Sequence, residues 1–300
     1  MTLFRGDKRR LNTKPLFLAS PAVLILLLLV FLPLVLLVLF SFHPDAPDKQ
    51  DVWTLENYKF VFINNPLFYK VLFQTILISL YAVIISLLIC FPVAYYVAKI
   101  AREENRLALV LLILVPNMVS GFMIILSWLL FLADYGVLYF ILKYLKLIEG
   151  PLHILYTRGA VTIGLVYSST LWMFIPLYAV LESLDNSLIE AAADLGASNN
   201  RVLLRIIIPY SKTAISTGCI LTFLQALSSY IIPRFLGGKS GLMYIQLVFD
   251  AFYTSYNWNR GAVLGLFMVV IMVVIVFIGL KTSGTSIKEA MEAIKGKEGK

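Results

Sequence analysis

The chain has 300 residues, of which 60% are apolar and only 14% charged, and its mean hydropathy is +0.88. A soluble fold of this size cannot hide so much apolar surface, because its exterior needs polar cover. The net charge of +8 points to nucleic acid or anionic lipid as a partner until its distribution is considered.

The charges are segregated. All of them lie outside six uncharged stretches, Pro21–Phe42, Val71–Ala98, Leu107–Ala133, Gly159–Leu181, Thr213–Pro233 and Gly261–Leu280, each at least 20 residues long. A helix of that length crosses a hydrocarbon core of about 30 Å. The expectation is an all-α, polytopic membrane protein with six transmembrane helices. With the N-terminus in the cytosol, 16 of the 25 Lys and Arg residues fall on the inner side. The positive-inside rule therefore predicts both termini in the cytoplasm. Nothing else supports nucleic-acid binding.

In chain order, a basic tail over residues 1–16 precedes a first span over 17–42. The end of that span, LVLFSFH, carries no small-residue cleavage pattern, so it reads as a retained anchor rather than a secretory signal. Residues 43–70 form an external loop, expected to be ordered rather than a separate domain. The core, 71–281, holds spans at about 71–98, 107–133, 159–181, 213–235 and 261–280. Within it, Lys99–Arg106 ties spans two and three into an antiparallel hairpin. Val137–Leu147 is apolar but too short to cross, and reads as an interfacial helix. Residues 182–212 make a long inner segment, and 282–300 a frayed tail with at most one short helix, KEAMEAIK. Cys90 and Cys219 fall inside spans and read as apolar packing residues.

The inner segment reads ESLDNSLIEAAADLGASNNRVLLRIIIPYSK. Ser187 followed by Glu190 fits a capping box. Leu188, Ala192 and Leu195 then share one helical face, and Gly196 stands where a C′ glycine would stop the turn. A second helical run, Asn199–Ile208, ends at Pro209. Helices this short are marginal alone in water. The pair needs a surface to pack on, either its own bundle or another protein.

Pro33, Pro92, Pro116, Pro176 and Pro233 interrupt the spans. They are either kinks patched by neighbouring helices or breaks lining a pathway near mid-membrane. The polar and aromatic residues beside them are the candidate pathway set: Asn117 and Ser120 in span three, Tyr167, Thr170 and Trp172 in span four, and Ser229 and Tyr230 in span five. For each, plain helix packing is the alternative.

Other chemistries find little support. Gly238-Lys239-Ser240 mimics the end of a phosphate-binding loop, but the pattern needs glycine five residues before Gly238, where Pro233 stands. With His43 and His153 as its two histidines, and no metalloprotease or nucleophile-elbow motif, an enzyme is not expected. An ion-coupled secondary transporter would place ionisable groups in its spans, and the six stretches hold none.

Glu190-Ala191-Ala192, three residues, Gly196, nine residues, Ile206, one residue and Ile208-Pro209 resemble the EAA motif of permease subunits of type I ATP-binding-cassette importers. TLENYKFVF, FPVAYYVAKIARE, LVPN, LGG and NWNRGA extend the resemblance from Pro15 to about Leu280, and within the family it is nearest to the spermidine/putrescine permease branch. Cys90, Ile124, Ser229 and Arg260 depart from that branch, where glycine, arginine, an acidic residue and proline are common. The resemblance implies a type I importer permease fold in a bacterial inner membrane, with Glu190, Ala191, Ala192, Gly196 and Pro209 shaping an ATPase-coupling element. Asp194, Arg201 and Arg205 are added as charged contacts, with solvation as their alternative. It also implies a cytoplasmic ATPase dimer holding ATP and Mg, a second, non-identical permease, an extracytoplasmic solute-binding protein, and no cofactor in this chain. The branch implies a polyamine cargo. Related permeases for iron(III), thiamine, phosphonates or opines leave the solute open.

Overall fold

Backbone N–H and C=O groups find no water in hydrocarbon, so an apolar stretch must satisfy them internally as helix. The structure, a computed structural model, describes residues 13–44 and 53–283. The tail ahead of Thr13 and the KEAMEAIK segment lie outside the described residues.

Helix α1 (Thr13–Phe42) runs through Pro21 and Pro33 without a break. Its Leu24–Val35 face is broadly exposed, and it lies along the last helix, α14 (Trp258–Ser283), with Phe40 beside the Trp258 ring at 6.2 Å. In the loop that follows, α2 (Glu56–Lys59) closes in a π-turn, Phe60–Asn64. Buried Asn57 donates its amide hydrogens to the carbonyls of Ser41 (3.2 Å) and His43 (2.7 Å). The described part of the loop is thus ordered against the end of α1.

Helix α3 (Pro66–Tyr95) begins where Asn65 caps the Leu67 amide, and it continues through a π-turn, Tyr96–Ile100. Pro92 leaves it continuous, as Pro176 leaves α7 (Arg158–Ser183). Span three differs. It divides into α4 (Glu103–Leu114), a 3-10 turn Val115–Met118, extended residues Val119 and Ser120, and α5 (Gly121–Leu132). The expected short helix follows as α6 (Val137–Tyr144).

The segment after α7 forms α8 (Asn186–Asp194) and α9 (Asn199–Val202), which winds through a π-turn, Leu203–Ile207, into α10 (Ile208–Tyr210). Two expectations need correction here. Ser187 is not the N-cap: the Asp185 carboxylate takes that place by accepting from the Ser187 amide at 2.9 Å, which puts Ser187 inside the helix. Nor does Pro209 end the second run. The wide π-turn before it absorbs the missing proline N–H, and the bend, of 65°, comes between Tyr210 and Lys212. Span five, expected as one run to 235, stops as α11 (Lys212–Ser228) and resumes as α12 (Ile231–Leu236). Helix α13 (Tyr244–Phe249) then leads back to α14.

Helices α3, α7 and α11 pack against one another at the centre. Small residues let them approach, as hydrocarbon offers no hydrophobic drive between spans. A Cβ on Gly218 would stand 2.8 Å from Met173 Sδ, and one on Gly164 2.8 Å from Ile232 Cγ2. One apolar cluster (Cys90, Ala98, Phe174, Leu181, Val202, Ile207) sits at the 182–212 end. A second (Ile78, Leu132, Val161, Leu165, Leu236) fills the opposite end. Both cysteines are free thiols, with Cys90 in the first cluster and Cys219 packed on it.

Candidate functional site

The α8–α9 pair has two faces. Ile189 and Ala192 pack on the cluster that holds Leu181, Leu184 and Val202. Leu188, Leu204 and, 88% exposed, Leu195 turn away from that cluster, so of the three residues expected to share an apolar face only Ala192 packs on the bundle. Glu190, Ala191, Asp194, Arg201, Arg205 and Pro209 are exposed as well. One face therefore packs on the bundle and the other offers apolar and charged groups outward. Between the helices lies a cleft of about 230 Å³ bounded by Leu195, Gly196, Arg201 and Arg205, among others.

The turn between the helices is well defined. The Gly196 amide donates to Ala193 O (2.8 Å) and the Ala197 amide to Ala192 O (3.0 Å), with Gly196 at φ +78°. That is a Schellman end, which requires a left-handed residue at C′. At the other end of α8, the Ser187 amide and hydroxyl hold the Asp185 carboxyl below the usual carboxylate range.

The two broken spans wall a cavity of about 550 Å³ against α7. The span-three break falls near the middle of its apolar stretch, hence near mid-membrane, while the span-five break falls toward the end of Thr213–Pro233. Of the pathway candidates, Asn117, Tyr167, Trp172, Ser229 and Tyr230 line it. Ser120 sits in the break but is not among the lining residues. Thr170 borders a separate groove with Tyr81 and Ile89, and its hydroxyl donates to Val166 O at 3.1 Å. The prolines thus differ: Pro33, Pro92 and Pro176 are absorbed in continuous helices, while the spans of Pro116 and Pro233 are broken.

The span-three break is patched by side chains, and the span-five break is flanked by stacked rings. The Tyr167 phenol donates to Pro116 O at 3.4 Å, and the Asn117 amide to Ile113 O at 3.3 Å. The Tyr230 ring stacks on Phe249 with centroids 4.1 Å apart, and Phe249 on Tyr253 at 4.3 Å. Three polar or aromatic lining residues, Trp128, Ser168 and Gln225, escaped the sequence reading. Gln225 accepts from Ser169 (2.9 Å) and donates to Ser168 (3.1 Å), joining α11 to α7, and Trp128 meets Tyr167 edge-on. A signal for Gln225 existed: it is the single amide in the uncharged stretch Thr213–Pro233. Among the described residues the lining holds amide, hydroxyl and ring groups and no charged side chain. Such a wall binds by hydrogen bonds and ring faces.

Broken spans around a cavity between the helices, together with an exposed helical pair at one end, define a multi-pass membrane permease. The family model for the binding-protein-dependent transport system inner membrane component matches residues 105–283, which take in both the cavity and the pair. The chain belongs to that family and is a permease of an ATP-binding-cassette importer in the inner membrane. It is 34% identical to the spermidine/putrescine transport system permease protein PotB of Escherichia coli K12 over 249 residues, covering 82% of this chain and 90% of that one. It is 35% identical to the protein of the same name from Haemophilus influenzae, over 75% of this chain and 78% of that one. The fold is similar to a chain from a bacterial ABC transporter that imports the acidic polysaccharide alginate, with a TM-score of 0.77 at 16% identity, covering 92% of this chain and 97% of that chain.

Proposed function

We propose that this chain forms half of the translocation pathway of an importer for a spermidine- or putrescine-like polyamine. In this reading the α8–α9 pair faces the cytoplasm and docks on an ATPase dimer that alone holds ATP and Mg. A second, non-identical permease completes the cavity, and an extracytoplasmic binding protein delivers cargo. The chain itself carries out no covalent chemistry. The observation that carries the reading is identity of about a third along nine-tenths of a polyamine permease, over the stretch that includes the cavity. The lining is consistent with it: Trp172 and Tyr230 offer ring faces, each worth about 0.5–2 kcal/mol to an ammonium group. Exposed Leu195 and the charges around it supply the docking face, with Glu190, Ala191, Ala192, Asp194, Gly196, Arg201, Arg205 and Pro209 forming the contact element.

One observation favours a second reading of the cargo. A polyamine in a span calls for carboxylates, and this half of the cavity has none, with Ser229 where the branch favours an acidic group. Iron(III), thiamine, a phosphonate or an opine is then the alternative, within the same importer class. The experiment is uptake into proteoliposomes holding both permeases and the ATPase, with the binding protein outside. ATP-dependent spermidine or putrescine uptake supports the first reading. Uptake confined to one of the other solutes overturns it.

A further inference from the structure

Lys99 lies in the π-turn that ends the long helix beginning at Pro66. Its ammonium has three acceptors, and they straddle a joint between two other elements. The carbonyl of Glu182 (3.5 Å) belongs to the last turn of α7, the carbonyl of Leu184 is that helix's C-cap, and Asn186 Oδ1 (3.0 Å) is on the first residue of α8. Terminal carbonyls of a helix lack intrahelical partners and carry the negative end of its dipole. A cation is the fitting group there.

The backbone bonds of the two joint residues stay on either side of it: the Leu184 amide donates back to Leu181 O at 3.3 Å, and Asp185 O accepts from the Leu188 amide at 3.2 Å. Leu184 (φ −68°, ψ 125°) and Asp185 (φ −67°, ψ 128°) are extended, so two residues set the angle between α7 and α8. Beneath it, Ala98 and Leu184 are buried in one apolar cluster. Packing alone resists separation but slides easily, whereas charge-assisted hydrogen bonds fix direction.

We propose that Lys99 is a positioning residue that locks the α7–α8 joint, so that displacement of the α8–α9 pair is passed to α3 as well as to α7. Without it, α8 pivots on its two extended residues and motion at the docking face dissipates in the joint. The inference rests on the coupling role proposed above for the pair. Arginine keeps the charge, but its planar fork cannot aim three donors as an ammonium does.

The test measures solute imported per ATP hydrolysed in the reconstituted complex. Lys99→Met keeps the aliphatic stem; it should insert, retain the ATPase, and lower that ratio about five- to tenfold, with Lys99→Arg intermediate. A lysine that only supports the fold would lower thermal stability and leave the ratio unchanged, which overturns the inference. Should Lys99→Met fail to assemble, Asn186→Ala removes one acceptor at an exposed site and should lower the ratio about twofold; an unchanged ratio is again fatal. Gly196→Val, run in parallel, disturbs the pair by another route. If it uncouples while the Lys99 and Asn186 variants do not, this inference alone fails. If none of the three alters the ratio, the coupling role fails with it.

Discussion

Gln225 Oε1 accepts the hydroxyl hydrogen of Ser169 at 2.9 Å, joining α11 to α7 at the wall of the cavity. Ser169 is fully buried, so this bond meets a need that lipid cannot. Bonds of this kind between membrane helices are worth about 0.6 kcal/mol on average, and up to about 1.7. Gln225→Leu should therefore lower the thermal unfolding midpoint only slightly. A Gln225 that also meets cargo should, in addition, show a raised KM for uptake. A stability change with wild-type kinetics would assign Gln225 to packing.

Tyr230 offers a ring and a hydroxyl beside the span-five break. Its stacking on Phe249 makes the ring part of the wall. Tyr230→Leu should weaken uptake of an amine cargo by about two- to thirtyfold, the range of one cation–π contact. Tyr230→Phe should stay near wild type if the ring face is what counts, and Ser229→Ala should have the smaller effect of one neutral hydrogen bond. Uptake kinetics at intact ATPase activity check this. Wild-type transport in all three variants would make this segment packing rather than pathway.

Gly196 needs φ +78°, yet nothing lies within 4 Å of where its Cβ would be. The cost of replacement is thus backbone strain alone, about 1–2 kcal/mol for an ordinary residue. Asparagine tolerates this region and a β-branched residue does not. Gly196→Val should impair ATPase association or coupling while Gly196→Asn stays close to wild type. Co-purification of the ATPase reads the difference. Equal behaviour of the two variants would refute the strained-turn account.

Asp185 caps α8, and its folded pKa is depressed by the Ser187 amide and hydroxyl. A depressed carboxylate contributes stability that is present above its unfolded pKa, near 3.9, and lost as pH falls through the folded value. Wild type and Asp185→Ala should differ by a constant thermal offset between about pH 5 and 8, and converge only below about pH 4. Asp185→Asn should keep most of the cap at every pH. A difference that vanishes between pH 6 and 7 would point to another group.

The Lys and Arg distribution predicts that the 182–212 end faces the cytoplasm. Single cysteines at Asn200 and Asn64, both exposed, should label from opposite sides of sealed vesicles, Asn200 from the cytosolic side. The native cysteines lie within spans and should be replaced first. The reversed pattern would overturn the assigned orientation.

The sequence by itself determined the class of molecule and the approximate positions of its long apolar helices. Segregated charge is enough for that, because a charged side chain in hydrocarbon is costly whatever the tertiary arrangement. It also determined the Gly196 turn, since a left-handed C′ residue is a local requirement. The spacing around Glu190 and Pro209 identified the family before any coordinates. What the tertiary structure decided was which prolines matter. Pro92 and Pro176 sit in continuous helices, while the chain breaks near Pro116 and Pro233. The difference lies in the neighbours, because a break survives in a membrane only where other side chains take up the freed carbonyls, as Tyr167 does for Pro116. The cap of α8 likewise turned on geometry: Asp185 and Ser187 both suit the role, and the extended backbone at Asp185 selects it. Cavity membership was decided last. Thr170 and Tyr167 are three positions apart on one helix and share a groove, yet only Tyr167 also reaches the cavity, because reach is set by how α3, α5 and α11 surround α7, and no single stretch of sequence contains that arrangement.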